Sequence, residues 1–148
     1  MNLDLLFDLA NLSVMPAWFM LIVLPRWSAT RTLVHSMLYP LVLGAVYTIG
    51  LFLSVFGMGA ADGGFTTIEG VRALFSTDIG ILVGWVHYLL FDLFVGAWIA
   101  RDAQRRGFNH WLLIPCLLLT YMAGPFGLLL YVILRVATKK GGWSLLEA

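Results

Sequence analysis

Long apolar stretches alternate with short polar links along this chain. Four of these stretches run over residues 5–24, 37–56, 79–100 and 111–134. Each has about 20 residues, the length at which a helix crosses roughly 30 Å of hydrocarbon. Because backbone polar groups in lipid must pair internally, the pattern predicts a bundle of four transmembrane helices. We therefore expect an all-α integral membrane protein with a single membrane domain over residues 1–148.

The link between the second and third stretches, residues 57–78, has a pattern of its own. Thr66 and Glu69 have the spacing of a capping box, in which two side chains close the first turn of a helix. Apolar residues then recur at helical spacing. This pattern predicts a short amphipathic helix over residues 67–76 that lies in the membrane interface between spans two and three.

A four-span arrangement places nearly equal numbers of Lys and Arg residues on the two sides of the membrane. Five of them lie in the first and third links, and four lie on the opposite side. Cytoplasmic loops carry an excess of Lys and Arg. The small excess in the first and third links therefore favours both chain ends outside.

The composition supports membrane insertion and excludes several classes of protein. Hydrophobic residues make up 61% of the chain and charged residues 11%, whereas soluble domains have about 25% charged residues. The net charge of +1 predicts no nucleic-acid partner. Cys116 is the only cysteine, which excludes an intrachain disulfide and a Cys-rich metal site. Residues 1–10 lack the basic start of a signal peptide, which favours a bacterial inner-membrane protein or a processed form.

The third apolar stretch contains two ionisable side chains, His87 and Asp92. A charged side chain at the bilayer centre costs about 2.5–3.5 kcal/mol on insertion scales, so such residues are functional candidates. Burial away from water favours the neutral form of each group. A protonated Asp92 can donate a proton and a neutral His87 can accept one, which predicts a catalytic acid and base.

The alternative for both residues is structural. His87 would then be hydrogen-bonded across the bundle, and Asp92 would be protonated or paired with Arg101 or Arg135. Five residues of helix separate the directions of His87 and Asp92 by about 140°. Each would face a different neighbouring helix, or the two would flank one cavity from opposite sides.

Further polar and aromatic side chains lie in or near the predicted spans. Asp8 and Asn11 lie about one turn apart on one face of the first span, where the alternative is that they cap the helix start. Together with aromatic residues of the other spans, they are expected to line a substrate pocket. The predicted substrate-binding residues are Asp8, Asn11, Tyr47, Trp85, Tyr88 and Tyr121.

No cofactor or metal is predicted. Haem held by two histidines needs them at similar depth on facing helices, but His35 and His110 lie at span edges while His87 lies mid-span. The one acidic or histidine pair at helical i, i+4 spacing is Asp4 and Asp8, without a histidine nearby in sequence.

Several short motifs occur in an order and spacing that resemble one family. They are Val14-Met15-Pro16-Ala17-Trp18 with Pro25, then Pro40, Gly44 and Tyr47, then Leu74-Phe75-Ser76, Trp85-Val86-His87, Phe91-Asp92-Leu93-Phe94 and Gly124-Pro125-Phe126-Gly127. In these motifs the chain resembles, over roughly residues 5–135, the small membrane proteins that plants require for neoxanthin synthesis. That family is named after an abscisic-acid-deficient mutant and has bacterial relatives.

The resemblance implies a protein that acts on or with a carotenoid. In the plant family the linked reaction opens the epoxide of violaxanthin to the allene of neoxanthin, which needs an acid at the epoxide oxygen and a base at a polyene carbon. The resemblance assigns these roles to Asp92 and His87, respectively. Asp8 does not match the plant pattern.

Two functional hypotheses follow. The first is a membrane-embedded, isomerase-like enzyme that acts on a carotenoid or related isoprenoid lipid by acid–base catalysis. The second is a non-catalytic carotenoid- or lipid-binding scaffold that assists a partner enzyme. In both, the expected partners are the bilayer and a hydrophobic small molecule, and a homo-oligomer is compatible with either.

Overall fold

The structure, a computed structural model, describes residues 2–144, and this part of the chain contains six α-helices and no β-strand. The helices are α1 (Leu3–Val23), α2 (Leu38–Leu53), α3 (Ile68–Leu74), α4 (Asp78–Arg105), α5 (His110–Ala123) and α6 (Pro125–Ala137). Two π-helical segments, Thr30–Val34 and Ser54–Met58, lie on either side of α2. The predicted all-α fold class is confirmed.

Within the described residues, three helical stretches are long and apolar enough to cross a membrane. They are Leu3–Val23, Thr30–Gly57 and Asp78–Arg105, and they correspond to the first three predicted spans. The third stretch extends beyond its predicted end at residue 100 because polar residues continue the helix. It stops before Gly107, whose φ of 60° lies in the left-handed region that favours glycine.

The fourth predicted span is not one helix. It divides at Gly124 into α5 with 14 residues and α6 with 13 residues. Pro125 occupies the first turn of α6, where its missing amide hydrogen removes no helical hydrogen bond. The four-span bundle is therefore not confirmed.

Helices α5 and α6 pack side by side and antiparallel. A Cβ atom built on Gly127 would overlap the backbone nitrogen of Thr120 and the carbonyl oxygen of Cys116. In one straight helix, Gly127 would instead lie about 10 Å along the axis from Thr120. The ring of Phe108, just before α5, is 5.7 Å from the ring of Tyr131 in α6. The chain thus reverses at Gly124 and forms a helical hairpin.

The start of α3 differs from the prediction by one residue. Its N-cap is Thr67, whose Oγ1 accepts a hydrogen bond from the amide of Gly70 at 3.0 Å. Thr67 has an extended backbone, which is the conformation that brings an N-cap hydroxyl to the amide three residues later. The expected capping box between Thr66 and Glu69 is therefore wrong, although the helix itself is present.

The chain divides into two compact units. Unit 1 comprises the chain through Ser13 together with Tyr39–Leu90, and unit 2 comprises Val14–Leu38 together with the chain from Phe91 onward. Helices α1 and α4 contribute residues to both units. His87 therefore belongs to unit 1 and Asp92 to unit 2.

A buried ionic cluster lies at the open end of the hairpin in unit 2. Asp102 Oδ2 accepts hydrogen bonds from the Tyr131 hydroxyl at 2.5 Å and from Arg135 Nη1 at 2.7 Å. Its Oδ1 accepts one from Arg106 Nε at 2.8 Å. Asp102, Tyr131 and Arg135 are at most 1% exposed. This cluster fastens α6 to the end of α4.

Candidate functional site

An apolar pocket of about 230 Å³ lies within unit 1. Its lining contains no Asp, Glu, Lys or Arg. Its polar side chains are Tyr47, Ser54 and His87, and the other lining residues are Leu51, Phe65, Leu74, Phe75, Gly80, Val83 and Gly84. The pocket is thus a hydrophobic site with a small set of groups that can donate or accept hydrogen bonds, as is typical of sites for apolar ligands.

Two glycines shape the α4 wall of this pocket. A Cβ atom on Gly84 would overlap the ring of Phe75, and one on Gly80 would overlap the carbonyl oxygen of Leu74. The two glycines lie one helical turn apart, on the same face of α4 as His87. Their missing side chains let the end of α3 approach α4 closely, which sets the shape of the pocket beside His87.

His87 and Tyr47 are the aromatic polar pair of the pocket. Their ring centroids are 5.4 Å apart with an angle of 53° between the ring planes. His87 is exposed on the surface of the chain, whereas Tyr47 is half-buried. The structure thus brings together two of the predicted site residues, and it places the imidazole at the mouth of the pocket.

Three other predicted site residues meet elsewhere in unit 1. Trp85 Nε1 donates a hydrogen bond to Asn11 Oδ1 at 2.9 Å. The Trp85 ring packs on Phe7 and Tyr88, with centroid distances of 5.4 Å and 5.2 Å. Asn11, Trp85 and Tyr88 do not line the pocket. Asp8 does not line it either and is exposed near the start of α1.

Asp92 lies at the reversal of the hairpin in unit 2. It is 7% exposed, and a Cβ atom on Gly124 would overlap its Oδ1. The carboxyl group therefore lies against the residue that precedes α6. The N-terminal end of a helix carries a partial positive charge that stabilises a nearby carboxylate, so this placement is suited to holding the turn together.

Tyr121 packs against α1 in unit 2. Its ring centroid is 5.4 Å from that of Trp18, and its hydroxyl donates to the Met15 sulfur at 3.4 Å. Trp18 in turn covers Gly96, where a Cβ atom would overlap the indole ring. Tyr121 thus belongs to a helix–helix contact rather than to the pocket of unit 1.

Sequence reasoning missed two sets of residues. Ser54 lines the pocket, and the spacing of Tyr47, Leu51 and Ser54, four and then three residues, was a signal for one shared helix face. The second set is the buried cluster around Asp102, which follows the third predicted span. Arg135, which was considered as a partner of Asp92, pairs with Asp102; no local signal connects residues so far apart in sequence.

Within residues 2–144, no group of three or more His, Cys, Asp and Glu side chains is arranged to hold a metal ion. The pocket of unit 1 contributes one imidazole, one phenol and one alcohol. These three groups can donate and accept hydrogen bonds.

Comparisons with known proteins cover most of the chain. A family model described as ABA DEFICIENT 4-like matches residues 5–131. Protein ABA DEFICIENT 4, chloroplastic, of Arabidopsis thaliana is 23% identical over 101 residues, which is 65% of this chain and 46% of that protein. The chain thus spans about half the length of this relative. No solved structure matches the chain. The resemblance inferred from the sequence is confirmed: the chain belongs to the ABA DEFICIENT 4-like family.

Proposed function

We propose that this protein binds the ring end of a carotenoid or related isoprenoid lipid in the pocket of unit 1 and acts on it as an isomerase-like enzyme. The observation that carries the proposal is an apolar pocket whose polar side chains are only Tyr47, Ser54 and His87. Family membership supports the substrate class, since the family is linked to neoxanthin synthesis in plants.

The size of the pocket supports recognition of one end of the ligand. An apolar cavity of about 150 Å³ is filled by benzene. A cavity of about 230 Å³ therefore accommodates one substituted six-membered ring but not a whole carotenoid. The polyene chain would extend past the exposed His87 into the bilayer. The hydroxyls of Tyr47 and Ser54 would bind an oxygen on the ring.

The catalytic form of the proposal needs a base and an acid. His87 at the pocket mouth is the base that takes a proton from carbon, and Asp92 is the acid expected from the sequence. Asp92 follows five residues later in the sequence and belongs to unit 2. The hydroxyls of Tyr47 and Ser54 are alternative acids because they line the same pocket as His87.

A non-catalytic, carotenoid- or lipid-binding scaffold is the second candidate. The observation that favours it is the position of Asp92 against Gly124, which suits a structural carboxyl group at the hairpin turn. In this form the pocket holds a lipid for a partner enzyme, and His87 and Tyr47 serve in binding alone.

One experiment separates these forms. The purified full chain is titrated with 3-hydroxy-β-ionone, a ring probe that carries a hydroxyl on its ring, and is incubated with violaxanthin, and products are separated by chromatography. His87→Ala and Tyr47→Phe should weaken binding of 3-hydroxy-β-ionone, whereas Tyr39→Phe, a tyrosine of α2 outside the pocket, should not. Product formed by the wild type and lost in His87→Ala supports the enzyme, and binding without product supports the scaffold. Equal binding by all variants would exclude the pocket.

The membrane arrangement is a further part of the proposal. A fourth span would need α5 and α6 in line, but α5 and α6 pack side by side. At a rise of about 1.5 Å per residue, each is about 20 Å long, too short for roughly 30 Å of hydrocarbon. The chain therefore crosses the bilayer three times, and the hairpin enters and leaves from one side.

A further inference from the structure

Positive charge is concentrated in unit 2. Eight of the nine Lys and Arg residues belong to it, and five of the eight acidic residues belong to unit 1. The eight cations are Arg26, Arg31, Arg101, Arg105, Arg106, Arg135, Lys139 and Lys140. All of them lie in the link that follows α1 or near the C-terminal ends of α4 and α6.

The reversal of the hairpin brings these segments together. Arg135 of α6 pairs with Asp102 of α4, and Arg106 Nη1 donates to the carbonyl oxygen of Lys140 at 3.4 Å. On the α1 side, Gln104 Nε2 donates to the carbonyl oxygen of Pro25 at 3.0 Å. Unit 2 therefore has one strongly basic end.

A cavity of about 530 Å³ opens at this basic end. Four arginines contribute to its lining, and among the described residues 2–144 no acidic residue does. The lining residues are Pro25, Arg26, Trp27, Arg31, His35, Arg101, Gln104 and Arg105. The nearby carboxylate of Asp102 accepts hydrogen bonds from Tyr131, Arg106 and Arg135, which lie outside this lining.

The chemistry of this lining matches a phosphate group. Guanidinium groups bind phosphate oxygens through paired, charge-assisted hydrogen bonds. Four such groups, those of Arg26, Arg31, Arg101 and Arg105, line this one cavity. Arg101 Nη1 also lies 3.5 Å from His35 Nδ1, which holds its guanidinium group at the cavity wall.

The surroundings favour a phosphate carried by a lipid. Trp27 is 53% exposed and lies just beyond the end of α1, and tryptophan is enriched at membrane–water interfaces. Pro25, Arg26 and Trp27 also line a second cavity, whose other lining residues are Val23, Leu24, Phe108, Asn109, His110 and Trp111. Basic pockets between membrane helices bind anionic headgroups, and the apolar side chains of this second cavity would contact an acyl chain.

We propose that the cavity of Arg26, Arg31, Arg101 and Arg105 binds the phosphate of an anionic phospholipid headgroup. The lipid belongs to the leaflet that faces the basic end, which the excess of cations assigns to the cytoplasmic or equivalent side. This site is separate from the pocket of unit 1, and the inference is independent of the proposed isomerase activity.

The test measures lipid binding to the purified full chain in detergent, with thermal stability as the readout. The probes are short-chain phosphatidylglycerol, short-chain phosphatidylcholine and inorganic phosphate. We expect phosphatidylglycerol to raise the melting temperature and phosphatidylcholine to have no such effect. An equal rise with inorganic phosphate would show that a soluble anion is bound, and an equal rise with phosphatidylcholine would show no headgroup preference. Either result would overturn the proposal.

Two double variants with the same loss of charge locate the site. Arg26→Gln with Arg105→Gln should weaken phosphatidylglycerol binding about tenfold or more, because charge-assisted hydrogen bonds are lost. Lys139→Gln with Lys140→Gln removes the same charge outside the cavity and should leave binding within about twofold. Equal losses in both would show non-specific charge attraction and contradict the site.

A third variant covers the case in which the arginine-to-glutamine protein does not fold. Arg26→Lys with Arg105→Lys keeps the charge but removes the planar group that binds phosphate through two parallel bonds. We expect it to fold and to bind phosphatidylglycerol more weakly than the wild type does. Unchanged binding by this variant would contradict the paired guanidinium contact.

Discussion

Arg135 and Asp102 form a buried ion pair between α6 and α4, with 2.7 Å between Nη1 and Oδ2. Both side chains are at most 1% exposed, and the Tyr131 hydroxyl donates to the same carboxylate oxygen. Arg135 Nη2 also donates to the carbonyl oxygens of Gly142 and Ser144. One guanidinium group thus ties together α4, α6 and the segment that follows α6.

Asp102→Asn should destabilise the protein strongly. Removing one partner of a buried ion pair leaves an uncompensated charge, which costs about 3–5 kcal/mol. Thermal unfolding of the purified chain in detergent measures the effect. Lys139→Gln, an exposed change after α6, is the control and should shift the melting temperature little. An Asp102→Asn variant as stable as the control would show that the cluster does not stabilise the hairpin.

Gly124→Ala should disturb the hairpin turn, because the added Cβ atom would overlap the Asp92 carboxyl group. Overpacking of this kind costs about 1–3 kcal/mol. Gly44→Ala in α2 is the matched control, since its Cβ atom would meet only Leu90 Cδ2 at 4.0 Å. Thermal unfolding of both variants measures the difference.

A double variant tests the contact between Gly124 and Asp92 directly. In Gly124→Ala with Asp92→Ala, the carboxyl group is absent and the added methyl group has room. The cost of the glycine change should therefore be smaller in the Asp92→Ala background than in the wild type. Simple additivity of the two changes would contradict direct contact in the folded protein.

Trp85→Phe should lower stability without affecting ligand binding. The change removes the hydrogen bond to Asn11 but keeps a ring against Phe7 and Tyr88. A lost hydrogen bond of this kind costs about 1 kcal/mol. Thermal unfolding measures stability, and titration with 3-hydroxy-β-ionone measures binding. A large loss of affinity for this probe would extend the ligand site beyond the pocket.

Single cysteines should reveal the side on which each link lies. In a Cys116→Ala background, cysteines are introduced at Ser28, Ser76 and Thr138, which are all exposed, and a membrane-impermeant reagent is applied to sealed vesicles. Three spans with a hairpin predict that Ser28→Cys and Thr138→Cys are labelled from the same side. Ser76→Cys should be labelled from the other side. Labelling of Thr138→Cys together with Ser76→Cys would instead support four spans.

Much of the local structure follows from the sequence alone. The apolar stretches determined the three long helices, because their composition makes a helix the stable state of each segment in an apolar environment. The short helix α3 was also predictable, although its cap lies at Thr67 rather than Thr66. Helical periodicity places Gly80, Gly84 and His87 on one face of α4, and these three residues line the pocket.

Only the tertiary structure decided how the segments pair. Gly124-Pro125 marks a helix break, but whether the chain continues or reverses depends on packing of Gly127 against Thr120. That reversal brings Arg135 to Asp102. Eight of the nine cations belong to unit 2, whereas a four-span arrangement divides the nine almost evenly between the two sides. Likewise, Tyr47 meets His87, whereas Asn11 meets Trp85. Contacts between distant segments depend on the shapes of both surfaces, and hydropathy along one segment carries no information about its partner.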